Sequence, residues 1–132
     1  MNPEIAYFSA EIGLSAELPT YSGGLGVLAG DHIKASADAG LPMLGISLLY
    51  KEGYFKQSID KNGNQDESYP RFKIGPDLSP LNDKFSIRVR SRDVWIQAYR
   101  LLFTGETGHI IPIYFLDTDI EENFKDDRKI TL

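Results

Sequence analysis

The sequence predicts an α/β fold in which a partly parallel sheet carries an antiparallel hairpin. Two short apolar runs, residues 5–10 and 43–50, are typical of strands buried on both faces. The apolar, alanine-rich stretch between them is typical of a helix, so the three together predict a βαβ unit with a parallel pair of strands. Farther along, apolar and polar residues alternate over 85–90, as in a half-exposed antiparallel strand.

The helix of the βαβ unit is predicted over residues 25–39. We expect it to end at Gly40-Leu41-Pro42, because glycine suits the first position past a helix and proline cannot continue one. One helical face carries modest side chains that allow close packing on a sheet. These residues are Leu25, Leu28, Ala29, His32 and Ser36.

The second half of the chain is predicted to hold a hairpin and a third buried strand. Residues 91–103 should pair back on the strand at 85–90, and their side chains alternate between two faces. One face carries Val94, Ile96 and Ala98, and the other carries Trp95, Gln97 and Tyr99. A strand follows at 109–116, where Pro112 favours an edge or a strand start. Residues 121–132 are charged and are predicted to be helical or loop-like.

These elements divide one domain of 132 residues into three parts. Residues 1–57 form the βαβ unit, and residues 58–83 are polar, rich in turn formers and predicted to be irregular. Residues 84–132 hold the hairpin, the third strand and the C-terminal segment.

Composition narrows the class of protein. The net charge of −5 argues against a general surface for nucleic acid or anionic membranes. The absence of cysteine excludes a disulfide framework and fits a reducing compartment. The N-terminus lacks the pattern of a signal peptide, and no apolar run approaches the roughly 20 residues of a membrane span. We therefore expect a soluble cytoplasmic protein with neither nucleic-acid nor membrane partners.

A glycine loop, Gly23-Gly24-Leu25-Gly26, precedes the predicted helix and suits an anion. Bare backbone N–H groups and the positive end of a helix dipole favour phosphate there. The spacing matches neither a dinucleotide fingerprint nor a Walker A loop, since no Lys-Ser/Thr follows. The pattern alone leaves two interpretations open, an anion site or a tight turn that lets the helix approach the sheet. We name Gly23, Gly24 and Leu25 as candidates for phosphate binding, with Ser22 and Gly26 as weaker ones.

Other polar residues have structural interpretations that we favour. Lone histidines such as His32 and His109 are more often packed or capped than catalytic. Asp117 and Asp119 end a predicted strand, where ligands of α/β proteins bind and where paired carboxylates suit acid–base or metal chemistry. We favour a role for them in capping the next segment. No metal site and no complete catalytic set is predicted.

Three arginines are predicted to lie on the surface, and four aromatic residues in the core or on a cleft wall. Alternation places Arg88, Arg90 and Arg92 on a solvated strand face. Four aromatic residues are predicted to lie in the core or to line a cleft, and these are Tyr7, Phe8, Tyr54 and Phe55.

Three runs of the sequence resemble the α-glucan phosphorylases, especially the shorter bacterial and archaeal members. They are AYFSAEIGL at 6–14, LPTYSGGLGVLAGDH at 18–32 and GLP at 40–42. The likeness continues through 50–57 and 116–119, spans nearly the whole chain and is dense between residues 5 and 57. A match of this length is far more specific than a lone glycine motif.

The resemblance implies two Rossmann-like halves facing a cleft, the GT-B arrangement, with pyridoxal 5′-phosphate on a lysine of the C-terminal half. It implies transfer of a glucosyl unit from the non-reducing end of an α-1,4-glucan or maltodextrin to phosphate, giving glucose 1-phosphate. It further implies that the cofactor phosphate serves as acid and base. Gly23, Gly24 and Leu25 fall on the loop whose main-chain N–H groups approach the cofactor phosphate and the bound glucosyl or phosphate group.

The resemblance also implies that the chain is part of an N-terminal Rossmann-like domain. No lysine here matches the cofactor lysine, and the histidine that binds the glucosyl residue, in an Asn-Glu-Gly-His context, is absent. The oligomeric state stays open, and a homo-oligomer is compatible with the sequence.

Two alternative functions compete with the phosphorylase. A nucleotide-sugar glycosyltransferase of the glycogen-synthase kind uses a related Gly-Gly-Leu loop, but a lysine normally precedes its glycines where Ser22 stands here. A non-catalytic module that binds glucan or a partner is the other. The length of the encoding reading frame separates the phosphorylase from this module. A continuation that carries a Gly-His motif and the cofactor lysine supports the phosphorylase, and a stop after Leu132 with no neighbouring continuation supports the module.

The missing lysine gives a first prediction. Residues 1–132 alone, mixed with pyridoxal phosphate, should show no specific Schiff-base absorbance and no phosphorolysis of maltodextrin. Absorbance spectra and an assay for glucose 1-phosphate check this, and activity from these residues alone would contradict it.

Overall fold

One mixed sheet organises the chain, of which the structure, a computed structural model, describes residues 2–132. The elements in chain order are β1 Ile5–Phe8, α1 Gly24–Asp38, β2 Met43–Leu48, β3 Lys56–Ile59, β4 Gln65–Ser68, β5 Ser79–Pro80, β6 Phe85–Val89, β7 Arg92–Thr104, β8 Ile110–Asp117, α2 Lys125–Arg128 and a 3₁₀ helix, Lys129–Thr131. No helix in this described range is long and apolar enough to cross a membrane.

The sheet combines a parallel half with an antiparallel half. Its order is β1-β2-β8-β7-β5, and β6 also pairs with β7. β1, β2 and β8 run parallel to one another, whereas β7 is antiparallel to β8, β5 and β6. The predicted α/β fold, the βαβ unit and the β6–β7 hairpin are therefore confirmed.

The end of α1 has the predicted geometry. Gly40 adopts a φ of +68°. Its N–H donates to the Ala37 carbonyl, and the Leu41 N–H donates to the Ser36 carbonyl, both at 3.0 Å. This pair of hydrogen bonds is the Schellman motif, which satisfies the last carbonyls of a helix.

The packing face of α1 differs from the prediction. Ala29 and Ser36 are buried as expected, but Leu25, Leu28 and His32 are exposed. The buried face consists of Gly26, Ala29, Gly30, Ile33, Ser36 and Ala37. The helix is therefore rotated so that its smallest residues, rather than its leucines, meet the rest of the protein.

Two glycines of α1 allow the loop before it to lie against the helix backbone. A Cβ at Gly30 would overlap the Gly13 carbonyl group, and one at Gly26 would overlap the side chain of Tyr21. The Gly13 N–H donates to the Gly26 carbonyl at 2.8 Å. The close approach is thus fixed by both shape and a hydrogen bond.

The core lies between α1 and one face of the sheet. Ile111, Ile113 and Phe115 of β8 are fully buried and belong to the same cluster as Ile33 and Ala37 of α1. The other face of β8 carries half-buried residues, so the strand alternates along its length. This pattern agrees with a core on a single side of the sheet.

The prediction that β1 is buried on both faces is wrong. β1 is an edge strand, and Ile5 and Phe8 are exposed. Pro112 is the third residue of the central strand β8, close to the predicted strand start. It is tolerated because the residues of β8 that pair with β2 begin only at Ile113.

The segment 58–83, predicted to be irregular, contains regular structure. β3 and β4 pair as an antiparallel hairpin that is exposed along its whole length. Asp60 Oδ1 accepts the N–H groups of Asn62 and Asn64 at 2.8 Å, and Gly63 adopts a φ of +85°. Turn chemistry rather than apolar alternation builds this hairpin.

The approach of α1 to its loop predicts a specific instability. Gly30→Ala should lower the free energy of unfolding by about 1–3 kcal/mol, because backbone must move to admit the methyl group. This cost should exceed the roughly 1 kcal/mol that alanine gains in helix propensity. Urea unfolding measures the difference.

Gly24→Ala is the matched control in the same helix, since a Cβ there meets nothing within 4 Å. Equal stability of the two variants would contradict the packing argument.

Candidate functional site

The glycine loop presents free donors at the start of α1. Gly23 occupies the N-cap position with a φ of +142°, no side chain caps the helix, and its first turn carries no acidic residue. Within residues 2–132, the N–H groups of Gly24 and Leu25 find no hydrogen-bond acceptor. Gly23 and Gly24 are exposed, as is Leu25 at 54%. Two donors at the positive end of the helix therefore face solvent.

The structure requires glycine at some positions of the loop and not at others. Gly23 needs the freedom of its positive φ, and Gly26 is required by contact with Tyr21. Neither reason applies to Gly24, whose φ is ordinary and whose missing side chain leaves open space. The packing interpretation accounts for Gly26 and leaves Gly24 unexplained.

A cleft of about 350 Å³ opens beside the loop. Its wall consists of Glu11, Pro19, Tyr21, Ser22, Tyr50, Glu52, Gly53 and Tyr54. No lysine, arginine or histidine is among these lining residues, so the cleft offers carboxylates and phenol groups rather than cations. Any anion at its edge depends on the helix N–H groups.

One carboxylate connects the loop to the end of β2. The Ser22 N–H donates to Glu11 Oε2 at 3.2 Å. Burial, and then the charge of Glu11, raise the pKa of the Tyr50 hydroxyl above its ordinary value. Tyr50 therefore keeps its proton at neutral pH and can donate it in a hydrogen bond.

Sequence reasoning missed Glu11, Tyr50 and Glu52 as cleft residues. They follow β1 and β2, and ligands of parallel sheets bind beyond the carboxyl ends of the strands. That rule drew attention only to the end of β8, although it applies equally to the two neighbouring strands.

Asp117 and Asp119 lie in a buried cluster of charges. Lys51 Nζ lies 2.7 Å from Asp117 Oδ2 and 3.3 Å from Asp119 Oδ2. Arg128 Nε donates to Asp119 Oδ1 at 2.7 Å, and Arg71 also pairs with Asp119. Asp117 Oδ1 accepts the Asp119 N–H at 2.8 Å, which agrees with the predicted capping role.

The cluster holds the C-terminal segment on the sheet. Thr131 Oγ1 donates to Asp117 Oδ1 at 3.2 Å, and the Thr118 N–H donates to Thr131 Oγ1 at 3.0 Å. Arg92 adds a two-pronged bond to Asp127, at 2.6 and 2.7 Å. Arg92 lies exposed at the start of β7, as the sequence predicted, and pairs from there with the buried Asp127.

The remaining candidates have structural or surface positions. The His32 ring lies 4.8 Å from the ring of Tyr7, and His109 Nε2 is 2.8 Å from the Leu41 carbonyl oxygen. Phe8 and Tyr54 are 70% and 69% exposed, so neither is a core residue. Tyr54 lines the cleft, which was the other predicted position for it.

The rest of the described chain offers no metal site and one larger cavity that is separate from the glycine loop. It holds no group of histidine and carboxylate side chains arranged to bind a metal ion. A larger cavity of about 580 Å³ lies between residues 14–18, 72–79 and 100–103, apart from the glycine loop.

Curated relatives match this chain over nearly its whole length. A maltodextrin phosphorylase from Thermococcus litoralis is 40% identical over 98% of the chain. Glycogen phosphorylases from Mycobacterium tuberculosis and Aquifex aeolicus are 40% and 36% identical over 96% of it. No family model matches the chain. The predicted resemblance to the α-glucan phosphorylases is confirmed.

The match concerns a small part of each relative. The chain spans 18%, 15% and 19% of the lengths of these three proteins. What the whole proteins do is therefore carried to this chain only as a proposal.

The paired carboxylates predict loss of stability in acid. Hydrogen bonds from Arg92 lower the pKa of Asp127. For Asp119, burial opposes ionisation, but the hydrogen bonds and charges of Arg128 and Lys51 outweigh burial, so the pKa of Asp119 is lowered too. Their stabilisation is complete above the unfolded value of about 3.9 and is lost as the pH falls through the lower folded values. Unfolding free energies measured from neutral to acid pH should show this fall.

Asp127→Asn should reduce stability at pH 7 and flatten the acid limb of the curve. An acid limb of unchanged slope in this variant would show that Asp127 does not contribute.

Proposed function

We propose that this chain supplies the phosphate-facing wall of an α-glucan phosphorylase. The reaction is transfer of a glucosyl unit from the non-reducing end of an α-1,4-glucan to inorganic phosphate, which yields glucose 1-phosphate. The proposal rests on the open start of α1. A Cβ at Gly24 would meet nothing there, so packing does not require a glycine, and the N–H groups of Gly24 and Leu25 lack acceptors. The names of the curated relatives support it.

The N–H groups of Gly24 and Leu25 are the proposed phosphate donors. They are fixed by the helix and point outward, so they need no rearrangement when charge changes on a phosphate oxygen. Preorganised donors of this kind stabilise a transition state more than water does. A side chain at Gly24 would occupy the space through which the oxygen approaches.

The cleft beside the loop is the proposed position of the sugar. Glu11 and Glu52 can accept hydrogen bonds from sugar hydroxyl groups, and the protonated Tyr50 can donate one. The lack of cations in this wall suits a neutral ligand with many hydroxyl groups. Anion and sugar would thus meet at Ser22, where loop and cleft join.

Pyridoxal 5′-phosphate is the proposed cofactor, and the loop fits its phosphate group. The fit rests on the free N–H groups and on the absence of a Cβ at Gly24. When bound, the cofactor would supply a phosphate that exchanges a proton with substrate phosphate. The lysine that attaches it, and the second domain of a GT-B arrangement, would lie outside residues 1–132.

The proposal is tested on the product of the whole reading frame. It should release glucose 1-phosphate from maltodextrin and phosphate. Transfer from a nucleotide sugar instead would support the glycogen-synthase alternative, and glucan binding without turnover would support the non-catalytic one.

Gly24→Ala keeps the backbone N–H but places a methyl group in the proposed path of the phosphate oxygen. It should lower kcat on the order of 10²-fold, as if the oxygen no longer reached one donor, without loss of stability. The matched control is Gly75→Ala, where a Cβ also meets nothing within 4 Å. Kinetics and thermal unfolding of both variants check this, and normal kcat in Gly24→Ala would refute the role of the loop.

A further inference from the structure

A short segment after β2 joins the cleft to the buried carboxylates. Tyr50 and Glu52 line the cleft, whereas the side chain of Lys51 between them is 12% exposed and reaches the buried carboxylates. The chain bends at Lys51, so an inward-anchored side chain at the bend is flanked by two residues on the cleft side.

Lys51 is held at its backbone as well as at its side chain. Its N–H donates to the Thr131 carbonyl at 3.1 Å, and its own carbonyl accepts the Phe72 N–H at 2.6 Å. Its ammonium group donates to the Asp119 backbone carbonyl at 3.2 Å. Three parts of the chain that are distant in sequence therefore converge on this residue.

The ion pair with Asp117 is the closest contact of the Lys51 ammonium group. Asp117 is 1% exposed, and within residues 2–132 its Oδ2 has no hydrogen-bond partner. The Lys51 ammonium, 2.7 Å away, is the charge that compensates this oxygen. Asp119, in contrast, also pairs with Arg71 and Arg128.

We infer that Lys51 is a positioning residue that sets the cleft wall opposite the glycine loop. Its anchor in the buried carboxylates fixes the backbone at 50–52 and hence the places of the Tyr50 hydroxyl and the Glu52 carboxylate. The role in the reaction rests on the proposed function, whereas the ordering of the wall does not.

The test uses variants that separate positioning from folding. Lys51→Met leaves Asp117 without its counter-charge, which destabilises a protein strongly. The double variant K51M/D117N removes both charges of this pair and so keeps the fold, but it lacks the anchor. Arg92→Met is the matched control, because it breaks another ion pair of the C-terminal segment without touching the cleft wall.

Two measurements are made on the product of the whole reading frame. The double variant should lose kcat/KM on the order of 10²-fold for maltodextrin phosphorolysis while its Tm stays near that of the wild type. Hydrogen–deuterium exchange should rise in peptides covering 49–54. Arg92→Met should lower Tm and leave both readouts unchanged.

Each outcome decides the inference. Wild-type kcat/KM and wild-type exchange at 49–54 in the double variant would overturn it, as would equal losses in Arg92→Met. If the wild-type protein shows no phosphorolysis, the proposed function fails, and the exchange comparison alone then decides whether Lys51 orders the wall.

Discussion

The close contact between the backbone of α1 and the loop before it is the constraint on which the structure depends. Gly13 approaches the helix so closely that Gly30 cannot carry a side chain, and Tyr21 approaches so closely that Gly26 cannot carry one. The contact orients α1, and the orientation in turn determines which of its residues face the core. It also brings the start of the helix to the edge of the cleft, so a packing requirement and the candidate site share one element.

A second constraint acts at the opposite end of the chain. Asp117 and Asp119, at the end of β8, pair with cations from three other segments. These cations are Lys51, Arg71 and Arg128. Buried ion pairs are weak sources of net stability, but loss of one partner is costly because the other remains charged. Such a cluster is better understood as specifying where segments lie than as strengthening the fold, and the wall of the cleft is one of those segments.

The βαβ unit could be predicted from the sequence, because apolar runs and the glycine that ends the helix determine structure through neighbouring residues. It failed for the packing face of α1, since hydrophobicity ranks Leu25 and Leu28 above the glycines, whereas contact with backbone selects the smallest residues. It failed for β3 and β4 because a hairpin exposed on both faces has no apolar alternation to detect. The glycine loop was found, but Glu11 and Tyr50 were not, since the cleft joins residues that are far apart along the chain.

The bond between Lys51 and Thr131 has a consequence for the order of folding. Contacts between distant residues must first overcome the entropy of closing a long loop, so they form later than local ones. During synthesis, β1, α1 and β2 leave the ribosome well before residue 131 does. The βαβ unit can therefore pack early, while the wall beside it acquires its final shape only when residue 131 arrives.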